Sequence, residues 1–243
     1  MKTTTGYSLA LLTLASVIVA GCDREQAATP ASPTATATSA APSASPSSSP
    51  ATRSGPKTIP AKAFLQKEDT RSTDGPAVIS EPMLPPLCKA RYASDAVRQV
   101  RQTRTMRYYN PGTPLDNTPD GTIQQTISSY TSEGGARLVA EIKAAVEACP
   151  QETLEGYTYT NRLLTGPKHG DESLLFERAY PTRDIDGKLT GGKDIRLIAV
   201  VRVGNVVTVL YETGWEMGWS AEPASMERLT AKAEQRMRAW LSS

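Results

Sequence analysis

Apolar residues are spread unevenly along this chain, and their spacing divides it into three stretches. Residues 7–20 form a short, nearly unbroken apolar run. Residues 26–50 are almost entirely Ala, Ser, Thr and Pro, without the large apolar side chains a core requires. Periodic patterns begin after about Lys57 and continue to the end, so residues 57–243 are expected to be the folded domain.

Within that domain the helical period is clearest over residues 136–148. Leu138, Ile142, Val146 and Cys149 fall four, four and three apart, which places them on one helix face. Ser132 and Glu133 stand where capping and the helix dipole favour them, and Pro150 stops the helix. Residues 225–241 predict a closing helix, with Leu229, Ala233, Met237, Trp240 and Leu241 as its stripe and Pro223 just before it. Shorter helices are expected over residues 61–68 and 90–100, the second from Tyr92, Ala93, Ala96, Val97 and Val100 near a 3.6 period.

Strand character dominates elsewhere. Residues 101–109, 122–130 and 153–163 read as strands from their β-branched and Tyr residues, and residues 173–180 give another. The strongest β pattern runs over residues 195–203, then Gly204-Asn205, then 206–211. Two β-branched runs joined by two such residues predict a tight hairpin. Its positions are apolar on both faces, so it is expected at the sheet centre, covered by helices. Residues 183–193 read as a polar turn. The fold class that results is α+β: an antiparallel β-sheet flanked by helices, one globular domain after a disordered tether.

The two N-terminal stretches carry an address. Lys2 precedes the apolar run, which is shorter than the ~20 residues a membrane-spanning helix needs. It fits a signal peptide over residues 1–21. The run closes on Val19-Ala20-Gly21-Cys22, which resembles the bacterial lipoprotein lipobox. That resemblance implies cleavage before Cys22 and acylation of its thiol, with the protein held on the cell membrane, facing the extracytoplasmic side; the other reading is an ordinary secreted protein with Cys22 incidental. Two or more acyl chains anchor stably, each buried methylene contributing about 0.8 kcal/mol. Residues 22–56 then form the tether, whose composition cannot offset its ordering entropy. About 30 such residues reach roughly 90 Å when extended at ~3.1 Å per residue.

Charge narrows the partners. Lys plus Arg number 27 and Asp plus Glu 25, a formal charge of +2. That balance argues against a nucleic-acid partner bound through phosphates and against long-range capture of a charged one. A single histidine excludes a metal site built from several imidazoles; no metal and no cofactor is expected. With Cys22 assigned to lipid, Cys88 and Cys149 remain in an oxidising compartment, and a disulfide between them is expected, two buried thiols being the alternative.

Candidate chemistry is sparse. Gly187 through Lys193 has the spacing of a phosphate loop, but Asp194 stands where Ser or Thr must hold magnesium, and the segment leads into a strand; a hairpin loop is the better reading. Ser173, His169 and Asp171 have the residue types of a hydrolase triad, but three members within five residues of one Gly/Pro loop are poorly placed to orient one another, and a surface loop is expected. Arg98, Arg101, Arg104 and Arg107 recur every third residue and read as solvated charges, or as a patch for an anionic envelope component. Trp215 and Trp219, among Gly214, Met217 and Gly218, suit stacking on a ligand or simply cover a sheet edge. Arg202, a polar interruption of the central hairpin, joins them as a candidate ligand-binding residue. No catalytic residue is assigned.

Taken together, the lipobox, the tether, Leu84-Pro85-Pro86-Leu87-Cys88, the helix ending at Cys149, Gly170-Asp171-Glu172 and Val201-Arg202-Val203-Gly204-Asn205-Val206-Val207 resemble lipoproteins carrying the extracytoplasmic sensor-type domain of actinobacterial serine/threonine kinases, the PknH-like extracellular domain. The resemblance implies an antiparallel sheet flanked by helices, a cleft for an unknown ligand and no enzymatic activity. Such domains usually carry two disulfides, whereas this chain can make only the Cys88–Cys149 pair. The expected function is a membrane-anchored, non-catalytic ligand-binding or sensing lipoprotein for a small-molecule or envelope ligand. The alternative is a lipoprotein that regulates a membrane signalling protein by direct contact.

Overall fold

The computed structural model describes residues 54–215 and 220–243. The expected signal peptide, Cys22, the tether as far as residue 53, and Trp219 lie outside the described residues.

Among the described residues, eight strands form one sheet, antiparallel throughout: β1 (Ala77–Ile79), β2 (Arg98–Tyr108), β3 (Gly121–Tyr130), β4 (Gln151–Leu154), β5 (Tyr157–Leu164), β6 (Glu172–Arg183), β7 (Leu189–Val203) and β8 (Val206–Glu212). Their order across the sheet is β1-β2-β3-β8-β7-β6-β5-β4. The β7–β8 hairpin lies at the centre, as its apolar character on both faces predicts. Val203 pairs with Val206 across the turn, where Gly204 supplies a positive φ of 57°.

Alternation along β7 and β8 divides the core in two. Ile198, Val200, Val207 and Val209 face α2 (Gly134–Ala148) and pack on Leu138, Ile142 and Val146. Leu197, Ala199 and Leu210 face α3 (Pro223–Leu241), against Met226, Leu229 and Ala233. Val201 and Val206 continue that face under Met237 and Trp240. One helix on each face of an antiparallel sheet confirms the α+β fold. Each aliphatic side chain buried this way contributes about 1.5–3 kcal/mol. Among the described residues, no helix is long and apolar enough to cross a membrane.

Several local expectations change. The helix over 90–100 is a 3₁₀ turn, Ala93–Val97, and β2 starts at Arg98, where pairing with β3 outweighs the apparent helical period. Residues 61–68 hold a 3₁₀ turn, Ala61–Ala63, and then the single-turn helix α1 (Lys67–Thr70), because Phe64 is extended and its ring is buried beneath α3. The strand over 153–163 is two strands, β4 and β5, reversed at Glu155-Gly156, both with positive φ. Most of residues 183–193 belongs to β6 and β7, leaving 184–188 as the turn; Asp184 binds the N–H groups of Asp186 and Lys188 there. Helix α2 is capped at Glu133 without a side-chain hydrogen bond, and Ser132 is left-handed at φ 51°. Pro223 is the first residue of α3 rather than its flank, a position that suits a residue lacking an N–H.

Cys88 and Cys149 are bonded, joining the proline-rich entry to the end of α2. Beside the bridge lies a buried ion pair, Arg178–Glu152 at 2.5 Å, with the two side chains 4% and 7% exposed. Arg178 also donates to Pro86 O at 2.6 Å and lies over the Tyr159 ring at 4.2 Å. Glu152 accepts from the Cys88 N–H at 3.0 Å. Each polar group in this corner therefore has a partner, the condition under which a buried ion pair is tolerated.

Candidate functional site

The loop between β5 and β6, Thr165-Gly166-Pro167-Lys168-His169-Gly170-Asp171, separates two depressions. On its α3 side is a cavity of about 390 Å³. Leu164, Leu175, Ala199 and Val201 form its sheet wall and Met226 its helix wall, with His169, Glu227 and Thr230 at the rim. On its α2 side is a second depression of about 400 Å³ bounded by Val139 and Lys143. A third, more open groove of about 550 Å³ runs along the far sheet edge between residues 57–59 and the β1–β2 pair. The first has the most apolar lining of the three, with a few convergent polar groups, the composition of a small-molecule site.

The loop is fixed at its C-terminal end. Gly170 has φ +61°, and a Cβ there would lie 2.2 Å from Arg202 O, so only glycine fits. Asp171 donates its N–H to Arg202 O at 2.8 Å and accepts from the Gly204 N–H at 2.7 Å. His169 crosses to α3: Nδ1 lies 3.0 Å from Glu234, and Nε2 lies 3.1 Å from Glu227. Glu234 also receives Arg238 Nε at 2.8 Å and the Gly170 N–H. Burial works against a charged imidazole here, but hydrogen bonds and charge from Glu227 and Glu234 outweigh it and raise the His169 pKa above its ordinary value. Burial also disfavours the charged Glu234, yet Arg238, His169 and Gly170 N–H together bring its pKa below the usual carboxylate value.

This arrangement leaves the triad-type residues unassembled. The Ser173 hydroxyl accepts the backbone N–H of His169 at 3.1 Å, while the imidazole is turned towards α3. The Asp171 carboxylate is held by Gly204 and Arg202 rather than by the imidazole. With a carboxylate at each ring nitrogen, His169 offers no free base to Ser173.

Arg202 spans Glu172 at 2.5 Å, Asp171 at 3.4 Å and Gly204 O at 2.8 Å, tying the β6 start to the central turn. Trp215 is 43% exposed beyond the opposite end of β8, with the Arg107 guanidinium 5.6 Å from its ring centre. The structure does not bring these two together: β8 alone separates them by roughly 20 Å at about 3.3 Å per residue. The four-arginine series divides between sheet faces. Arg98 and Arg101 bind Asp95, Arg107 binds Asp74, and Arg104 lies over the Phe64 ring. Glu227 and Glu234 escaped the sequence reading. Their seven-residue spacing puts two carboxylates on one face of α3, which was the available signal.

No protein-family model matches the chain, and no curated protein does. Among solved structures, a similar chain is the crystal structure of the extracellular domain of PknH from Mycobacterium tuberculosis. The two are 13% identical, the match covers 73% of this chain and 93% of that one, and the TM-score is 0.44. At that level the likeness assigns no ligand and no activity.

Proposed function

We propose that the chain is a membrane-anchored extracytoplasmic lipoprotein whose domain binds a small, largely apolar ligand without catalysing a reaction. The observation that carries this reading is the cavity of about 390 Å³ between the β5–β6 loop and α3. A size of 300–1,000 Å³ with apolar walls and a polar rim suits a small molecule. The Cys88–Cys149 bond fits an oxidising compartment, and Val19-Ala20-Gly21-Cys22 supplies the anchor. Neither cofactor nor metal enters the reading.

Native mass spectrometry of the full-length protein, purified from its own envelope, tests it. The expected wild-type spectrum shows acylation that Cys22→Ser removes, plus a dissociable small molecule. Ala199→Leu, which fills the cavity from the sheet side, is expected to lose that molecule while remaining folded. Retention of the molecule by Ala199→Leu, or its absence from both proteins, contradicts the assignment.

A second reading, regulation of a membrane signalling protein by contact, draws on the β6–β7 hairpin tip, where Ile185 is 96% and Leu189 56% exposed. Co-purification of a membrane protein that Ile185→Ser abolishes supports it.

A further inference from the structure

The cavity and the histidine clamp belong to one device. The loop forms one wall of the cavity, α3 forms the other, and His169 with Glu227 stands where the two walls meet. A neutral imidazole has one N–H donor and one acceptor nitrogen. Facing a carboxylate at 3.0 Å and another at 3.1 Å, it satisfies one contact and turns a lone pair on the other. The imidazolium donates to both.

We propose that His169 is a protonation-operated latch: its imidazolium ties the β5–β6 loop to α3 over the cavity, and loss of one proton releases the loop and opens the site. This regulation rests on the cavity being the ligand site.

Three features make the loop a credible moving part. Among the described residues, 165–168 make no hydrogen bond or ion pair. Gly166-Pro167 marks the N-terminal end of the free segment, and Asp171 is the fixed end. The remaining ties to α3 are the Gly170 N–H on Glu234 and a 4.0 Å approach of Arg238 to Asp171.

The charges around the ring set the direction of the switch. From α3, Glu227 and Glu234 favour the imidazolium, whereas Arg238 opposes it while occupying Glu234. On the loop and β6, Asp171 and Glu172 are engaged by Arg202, and Lys168 opposes protonation. From α2, Lys143 lines the same cavity, but Glu147 pairs with it. The carboxylates at the ring prevail, since the His169 pKa is raised and that of Glu234 lowered. The latch is therefore shut between those two values and opens as pH rises through the histidine's.

Hydrogen exchange of the full-length chain from pH 6 to 9.5, corrected for intrinsic rates, tests the latch. Protection of the two hydrogen-bonded loop amides, His169 on Ser173 Oγ and Gly170 on Glu234, is expected to fall at least tenfold across one titration with a midpoint above the ordinary histidine value of about 6.5. His169→Gln keeps a neutral hydrogen bond and is expected to give a flat profile. Glu227→Gln, an exposed conservative change, is expected to lower the midpoint. A flat wild-type profile, or a wild-type profile shared by His169→Gln, overturns the latch. Nile red binding at both pH extremes separates the two ideas. Titrating loop exchange without dye binding at either pH keeps the latch and removes the ligand reading; dye binding with flat exchange does the reverse.

Discussion

The two faces of the sheet are held by different kinds of interaction. On the α2 face a disulfide, a buried Arg178–Glu152 pair and a cluster of Tyr157, Tyr159 and Tyr180 lock the entry segment, the helix end and strands β4 to β6 together. Burial raises the pKa values of Tyr130, Tyr159, Tyr180 and Tyr211 on this face above the ordinary tyrosine value, so they stay neutral near physiological pH. The α3 face has polar ties as well, among them buried Gln125 on the Leu65 N–H and Thr208, Arg228 and Ser225 on Asn110, and an Arg236–Asp69 pair at 2.9 Å. Around the β5–β6 loop, however, the main tie is a histidine between two glutamates, and a cavity separates loop from helix. The contrast assigns stability to one face and adjustment to the other. Binding loops belong to the low-stability end of a fold, positioned by a rigid scaffold.

The sharpest way to break this contrast is to remove the α2-side ties. Replacing both Cys88 and Cys149 with Ser opens a cross-link of sequence separation 61 and is expected to cost about 4 kcal/mol in urea unfolding, on the chain-entropy scale. Arg178→Ala leaves Glu152 buried without its counter-charge and is expected to cost about 3 kcal/mol, with Glu152→Leu plus Arg178→Met recovering most of it.

Changes on the α3 side are expected to be smaller and to depend on pH. His169→Gln is expected to cost about 1 kcal/mol of global stability at pH 6. The sign follows from the raised histidine value: the wild-type advantage is fully present below about 6.5 on the alkaline limb and is lost as pH rises through the folded-state pKa. On the acid limb it is lost as pH falls through the lowered Glu234 value. Paired denaturation curves at pH 6 and pH 9 read this out, and an equal difference at both removes histidine titration from the account. At the small end, Ile185→Ser at the hairpin tip is expected to change unfolding free energy by less than about 0.5 kcal/mol.

How much of this was legible depended on the range of the interactions. The β7–β8 hairpin and the stripes of α2 and α3 are written in local periodicity, and the structure places each where its apolar pattern requires. Residues 90–100 misled because Tyr92, Ala96 and Val100 fit a helical period, while the register of Arg98 to Tyr108 against β3 is a non-local property. The Arg183 to Lys193 segment is exposed along its whole length, so strand pairing there leaves no burial pattern. The candidate site was the least legible part. His169 stood out as the single histidine in a Gly/Pro loop, but its partners lie 58 and 65 residues away in sequence. Arg202 reads as an exposed polar interruption, yet its hydrogen bonds to Glu172 and Gly204 O form only once β6, β7 and the central turn are assembled.

Photolabelling of the full-length protein with a neutral apolar diazirine, followed by peptide mapping, tests the location of the ligand site most directly. Labels concentrated in residues 163–175, 199–201 and 223–230, and reduced by Ala199→Leu, are the predicted result. Labels along the β1–β2 groove or on α2, unchanged by Ala199→Leu, would contradict it.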